Sequence, residues 1–131
     1  MKKRTTKQIG DFGEQRAVNY LRLRGYTVKE RNYRAGHYEI DIIASRFSEL
    51  AFVEVKTRTY DDPSTIDLMP PPSNAVKRDK QRFTRQAAKQ YLYENPSNKK
   101  PRMDVIEVWL LKQPNGKKPK VWRIRHMKGV Y

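Results

Sequence analysis

Three charged residues stand inside apolar runs that ought to be buried. Asp41 lies in Glu39-Ile40-Asp41-Ile42-Ile43-Ala44, and Glu54 and Lys56 lie in Leu50-Ala51-Phe52-Val53-Glu54-Val55-Lys56. Both runs read as interior strands: short, rich in β-branched residues, and bounded by polar, turn-like segments. Charge survives inside such a strand only where it is paired or bound to a metal. Side chains alternate across a strand, so Glu54 and Lys56 share one face while Val53 and Val55 fill the other. Twelve residues separate Asp41 from Glu54, a span that a hairpin or near-hairpin closes. The pattern calls for a sheet in which two carboxylates and an ammonium meet at one point.

That meeting suits a magnesium-dependent phosphodiesterase. Magnesium takes oxygen ligands, keeps several waters, and is held by one or two carboxylates together with substrate phosphate. It activates water and neutralises charge on the phosphate. A lysine beside it orients the water or stabilises the transition state. The competing reading is an ordinary Asp–Lys or Glu–Lys ion pair on a half-exposed sheet.

Composition narrows the partner. The 131 residues suit one domain with one core. The excess of 29 Lys and Arg over 14 Asp and Glu, a net charge of +15, favours a polyanionic partner, nucleic acid in the first place. A merely basic protein, or one bound to anionic lipid, competes with this. No segment approaches a membrane span, and no apolar stretch follows the basic start Met1-Lys2-Lys3-Arg4. The chain has no cysteine, so there is no disulfide framework and no thiolate zinc site. His37 and His126 are too scattered for a histidine metal cluster. A cytoplasmic location is the default expectation.

Along the chain, a basic tail (1–7) precedes a first helix over about 7–24. Asp11 is the expected cap, Glu14 completes a capping-box-like pattern, and Gly25 ends the helix. Strands follow at 26–33, 38–44 and 50–58, with a turn at Arg34-Ala35-Gly36-His37. A long loop over 59–73 carries Pro70-Pro71-Pro72 and reads as flexible or functional. A second helix spans about 74–94 and ends at Asn95-Pro96. Strands at 103–111 and 120–127 complete the order α-β-β-β-α-β(-β), the last strand at an edge.

Two more charges fall on apolar stripes. Glu14 shares its helix face with Ala17, Val18 and Leu21. It either stabilises the helix N-terminus or belongs to the site. Lys80 lies among Val76, Phe83, Ala87 and Tyr91 on the second helix, where snorkelling is the alternative to a role in the site. Glu14, Asp41, Glu54, Lys56 and Lys80 can all converge on one end of the sheet.

Together these residues resemble a family. Gly10-Asp11-Phe12-Gly13-Glu14, Gly25-Tyr26, Arg31-Asn32, Glu39 to Ala44, Phe52 to Arg58, Lys80-Gln81-Arg82, Tyr91-Leu92 and Asp104-Val105-Ile106 look like the YraN-like family of uncharacterised bacterial proteins, from about residue 8 to 110. That family is similar to the restriction-endonuclease-like superfamily and, more closely, to archaeal Holliday-junction resolvases. The resemblance implies an α/β domain with a mixed central sheet flanked by helices and a magnesium-dependent nuclease centre. It implies Asp41 and Glu54 as metal ligands, Lys56 as the catalytic lysine, Glu14 as an accessory carboxylate and Lys80 as the basic residue of the following helix. Tyr38 departs from the commoner form, which has glycine before Glu39.

The expectation is a single restriction-endonuclease-like domain that hydrolyses DNA phosphodiester bonds, branched or repair intermediates among its substrates, with Mg²⁺ or Mn²⁺ as cofactor. Lys2, Lys3, Arg4, Arg78, Arg82 and Arg85 are the expected phosphate contacts. Tyr60 and Trp122 could stack on bases, but packing is the favoured role of each. The rival is a basic nucleic-acid-binding adaptor that keeps the fold and does not cut. DNA against RNA and the oligomeric state, a homodimer included, stay open.

Overall fold

The computed structural model describes residues 4–62, 64 and 78–131. Helix α1 (Thr6–Leu23) leads into strands β1 (Thr27–Ala35), β2 (Tyr38–Arg46) and β3 (Glu49–Tyr60). Helix α2 (Arg78–Glu94) precedes β4 (Lys100–Leu111) and β5 (Lys120–Met127). The strands form one sheet in the order β1-β2-β3-β4-β5. Every neighbouring pair is antiparallel except β3 and β4, which run parallel. A parallel pair needs a long crossover, and the segment containing α2 supplies it. This is the expected mixed sheet flanked by helices.

Alternation sets the two larger clusters of the core on opposite faces of the sheet. Ala17, Val18 and Leu21 of α1 pack on Ile42, Ala44, Ala51, Val53, Ile106 and Val108. Ala87, Ala88 and Tyr91 of α2 pack on Ile40, Ile43, Leu50, Phe52 and Met103 from the other side. Coverage of both faces is why β2, β3 and β4 read as nearly unbroken apolar runs rather than alternating ones.

Several boundaries differ from the sequence reading. Helix α1 is capped by Thr5, not Asp11: the Thr5 hydroxyl accepts from the Gln8 N–H, and the Gln8 side chain accepts from the Thr5 N–H. Thr5-x-x-Gln8 meets the capping-box requirement nearly two turns earlier. Asp11 therefore lies within the helix, 3.0 Å from Lys7. Gly25 ends the helix as expected, with φ +86. Strands β2, β3 and β4 extend beyond their apolar runs, because backbone pairing with neighbours continues after the hydrophobic pattern stops. β3 reaches Tyr60, so residues 59 and 60 belong to a strand and not to the loop. The proline-rich stretch and residues 74–77, Val76 among them, lie outside the described residues.

Phe83 is not on the inner stripe of α2. It is 39% exposed, while Thr84, one position on, is buried and donates to the Lys80 carbonyl at 2.8 Å. The Phe83 ring stacks on Tyr38 with centroids 5.2 Å apart. Tyr38 thus opens β2 without difficulty, since Gly36 takes the left-handed conformation (φ +64) that the preceding turn requires.

Candidate active site

The site grows from the place where β2 and β3 part. Their ladder ends at Ile42 opposite Val53, while β3 continues to Tyr60 against β4. One step beyond the end of the ladder, Asp41 Oδ2 accepts the Val55 N–H at 2.8 Å. A strand N–H points along the sheet plane, so the Asp41 carboxylate replaces a backbone carbonyl in the gap between the strands. Burial first, and then the Glu54 carboxylate, push the Asp41 carboxyl up to about 7, against the Val55 hydrogen bond and Lys80, which lower it. Glu14 adds a smaller push in the same direction.

Glu54 is 4% exposed on the α2 side of β3. Its Oε1 lies 3.3 Å from Lys56 Nζ and 3.7 Å from Lys80 Nζ. Its Oε2 is buried and finds no hydrogen-bond partner among the described residues. Lys80 points to this carboxylate while keeping 40% of its side chain exposed, so it does not simply snorkel.

Glu14 approaches from the α1 side. Its Oε1 accepts from Arg31 Nε and Nη2, each at 3.3 Å, and from Asn32 Nδ2 at 3.1 Å. Alternation would send Arg31 and Asn32 to opposite faces. The left-handed backbone of Asn32 (φ +51) turns both toward Glu14. Glu14 and Asp41 line a cavity of about 310 Å³ together with Val55 and Thr57. The structure therefore gathers Glu54, Lys56 and Lys80 on one face and sets Glu14 and Asp41 around a cavity opening on the other. Asp41, in the sheet plane, senses both groups.

The expected phosphate contacts are dispersed. Lys2, Lys3 and the side chain of Arg78 lie outside the described residues. Arg4 is not part of a loose tail: it donates to the Lys117 and Gly116 carbonyls at 3.2 and 3.4 Å, docking on the β4–β5 turn. Arg82 pairs with Asp79 at 3.8 Å, and Arg85 lies over the Tyr131 ring at 5.5 Å. Tyr60 is buried and packs with Trp109, while Trp122 is 45% exposed on the edge strand.

Sequence reasoning passed over two buried acids in β4. Glu107 is fully buried, pairs in register with Lys56, and lies 3.8 Å from Arg125 Nε. Asp104 is fully buried, chelated by Arg102 through two 2.9 Å hydrogen bonds and met by His126 Nε2 at 2.7 Å and the Gly129 N–H at 3.0 Å. Like Asp41 and Glu54, both place a charge inside an apolar strand.

An orphaned buried carboxylate oxygen beside a second carboxylate fits a hard cation. Among the described residues no group of three or more acidic or histidine side chains assembles around one point. The fold and this site define a small α/β protein with an acid–lysine centre where two strands of a mixed sheet separate. The chain belongs to the family described as "Uncharacterised protein family UPF0102", which it matches over residues 13–108, and the YraN-like resemblance holds. It is similar to a UPF0102 protein of Alkaliphilus oremlandii, 40% identical over 128 residues, covering 95% of this chain and 98% of the relative. A Clostridioides difficile relative is 44% identical over 108 residues, covering 82% and 90%. One from Caldanaerobacter subterraneus subsp. tengcongensis is 36% identical over 132 residues, covering the whole of both chains.

Proposed function

We propose that the chain is a metal-dependent nuclease of the cytoplasm that hydrolyses DNA phosphodiester bonds, branched or repair intermediates among them. The observation that carries this reading is the Glu54 carboxylate, buried, with two lysines on one oxygen and, among the described residues, no hydrogen-bond partner for the other. An unsatisfied buried oxygen costs about 1–3 kcal/mol, more when charged, and a cation would relieve that cost. Asp41 and Glu54 would hold Mg²⁺ or Mn²⁺. Two protein carboxylates suit magnesium, which takes its remaining oxygens from water and phosphate. When bound, such a cation polarises the phosphate and makes water more acidic.

The chain's own residues do the rest. Lys56 and Lys80 bring two ammonium groups to the carboxylates, placed to donate to phosphate oxygens as charge builds on them during in-line attack by water. Glu14, oriented by Arg31 and Asn32, fixes the polar wall of the cavity beside Asp41. Arg82 and Arg85 on α2 are exposed, where they would meet phosphates.

The test is cleavage of labelled branched, flapped, single-stranded and duplex DNA, with Mg²⁺, with Mn²⁺, and with chelator. Cutting should require the metal and fall by about 10²-fold or more in Glu54→Gln and Lys56→Ala. Binding of every substrate without cutting would put the adaptor reading in its place. Cutting that survives in both variants would mean that the chemistry lies elsewhere.

A further inference from the structure

Helix α2 packs on β1, β2 and the first residues of β3 and β4, and its first turn carries Lys80 to Glu54. The rest of that sheet face belongs to β3, β4 and β5. Parallel register sets Lys56 beside Glu107 and Arg58 beside Trp109. Antiparallel register sets Arg125 beside Glu107 and Arg123 beside Trp109. Cross-strand partners share a face, and two contacts agree: Arg125 Nε lies 3.8 Å from Glu107 Oε1, and the Arg123 guanidinium lies over the Trp109 ring at 5.5 Å. Lys56, Arg58, Arg123 and Arg125 therefore stand in two adjacent rows that begin at the candidate active site.

We propose that this β3–β5 half of the sheet face is the path along which a DNA phosphate backbone runs from the active site, with Arg58, Arg123 and Arg125 as its phosphate contacts. The inference rests on the nuclease reading above and adds the surface that holds the substrate. Charge and continuity carry it. Arg125 keeps 58% of its side chain exposed although its partner Glu107 is fully buried, so its guanidinium still faces solvent. Arg123 is exposed and rests on the Trp109 ring. Residues two apart on a strand are separated by about 7 Å, and residues two strands apart by about 10 Å. Guanidinium groups at those intervals can meet more than one phosphate of a backbone that carries one charge per about 3.4 Å of axial rise on each strand. The surface is distinct from the Arg82 and Arg85 side of α2.

Binding of fluorescein-labelled duplex DNA, followed by anisotropy in chelator across a salt series, tests the path. For the double variant R123Q/R125Q, the slope of log K against log[salt] should fall by about two relative to wild type. R123K/R125K should keep the wild-type slope, because the charge remains. Thermal melting checks that each variant folds. Should the double variant not fold, R123Q alone, which removes the guanidinium over the Trp109 ring, should lower the slope by about one. An unchanged slope in a folded glutamine variant overturns the path, most directly if R82Q/R85Q lowers it instead. Wild type that binds no DNA at low salt would overturn the nuclease reading itself, a different failure from wild type that binds with an unaltered variant slope.

Discussion

At Gly13 helix α1 presses directly on β3: a Cβ built there would stand 2.1 Å from Thr57 Oγ1 and 2.9 Å from Thr57 Cβ. Three residues earlier, a Cβ on Gly10 would meet nothing within 4 Å. The two glycines look alike in sequence and should behave oppositely. Gly10→Ala should stabilise by about 0.5–1 kcal/mol through helix propensity and reduced unfolded-state entropy. Gly13→Ala should destabilise by about 1–3 kcal/mol through overpacking. Urea unfolding of both variants decides it, and equal stability of the two would contradict the contact. The same contact sets how closely Glu14, the next residue, approaches the gap where Asp41 sits. Asp41, Glu54 and Lys56 were legible because charge in an apolar strand is an anomaly visible without coordinates. The hold of Arg31 and Asn32 on Glu14 was not, because it depends on a left-handed backbone at Asn32 that defeats alternation.

Among the elements, β4 carries the largest internal polar commitment. Arg102 chelates Asp104, donates to Glu49 Oε2 at 2.7 Å and to the Tyr26 hydroxyl at 2.7 Å, and so ties β4 to the start of β3 and to the segment that follows α1. His126 on β5 and the Gly129 N–H close the cluster from the edge. Burial by itself raises the Asp104 carboxyl, but His126, Arg102 and Gly129 together hold it below the usual carboxylate range. Arg102→Leu would leave Asp104 buried with its main cation gone, a loss of about 3–5 kcal/mol in stability. Denaturant unfolding of the variant measures it, and a loss below about 1 kcal/mol would mean that His126 alone satisfies the carboxylate. Strand existence and order were readable from apolar runs and turn residues. Strand ends were not, because ladders extend as far as neighbours offer partners, whatever the hydropathy.

For the molecule as a whole, two aspartates, Asp104 buried and Asp41 half-buried, tilt stability with pH in opposite directions. Asp41 has its carboxyl raised from 3.8 to about 7, so the native state holds that proton more tightly than the unfolded chain. The stability it contributes is present below about pH 4 and is lost as pH rises through about 7. Asp104 is held low, so its contribution is present above the ordinary carboxylate range and is lost as pH falls through its native value. In chelator, Asp41→Asn should flatten the decline of stability toward neutral pH. Asp104→Asn should flatten the acid limb and lower stability at neutral pH. Urea unfolding over a pH series reads both, and variant curves parallel to wild type would contradict the assignments. What the sequence alone determined was the set of strands and helices, the basic balance of 29 to 14, and the presence of charge that needed a partner. These follow from local periodicity and from the cost of burying a charge, which hold wherever the strand ends up. Tertiary structure alone decided which charges meet. The β2–β3 ladder stops at Ile42 and Val53, which puts Asp41 in the sheet plane between Glu14 and Glu54. The parallel β3–β4 register lines Lys56 up with Glu107, and the β5 register adds Arg125 to that row. Register is a relation between strands distant in the chain, and the hydrophobic pattern of each strand specifies the face a residue occupies but not the neighbour it meets across the sheet.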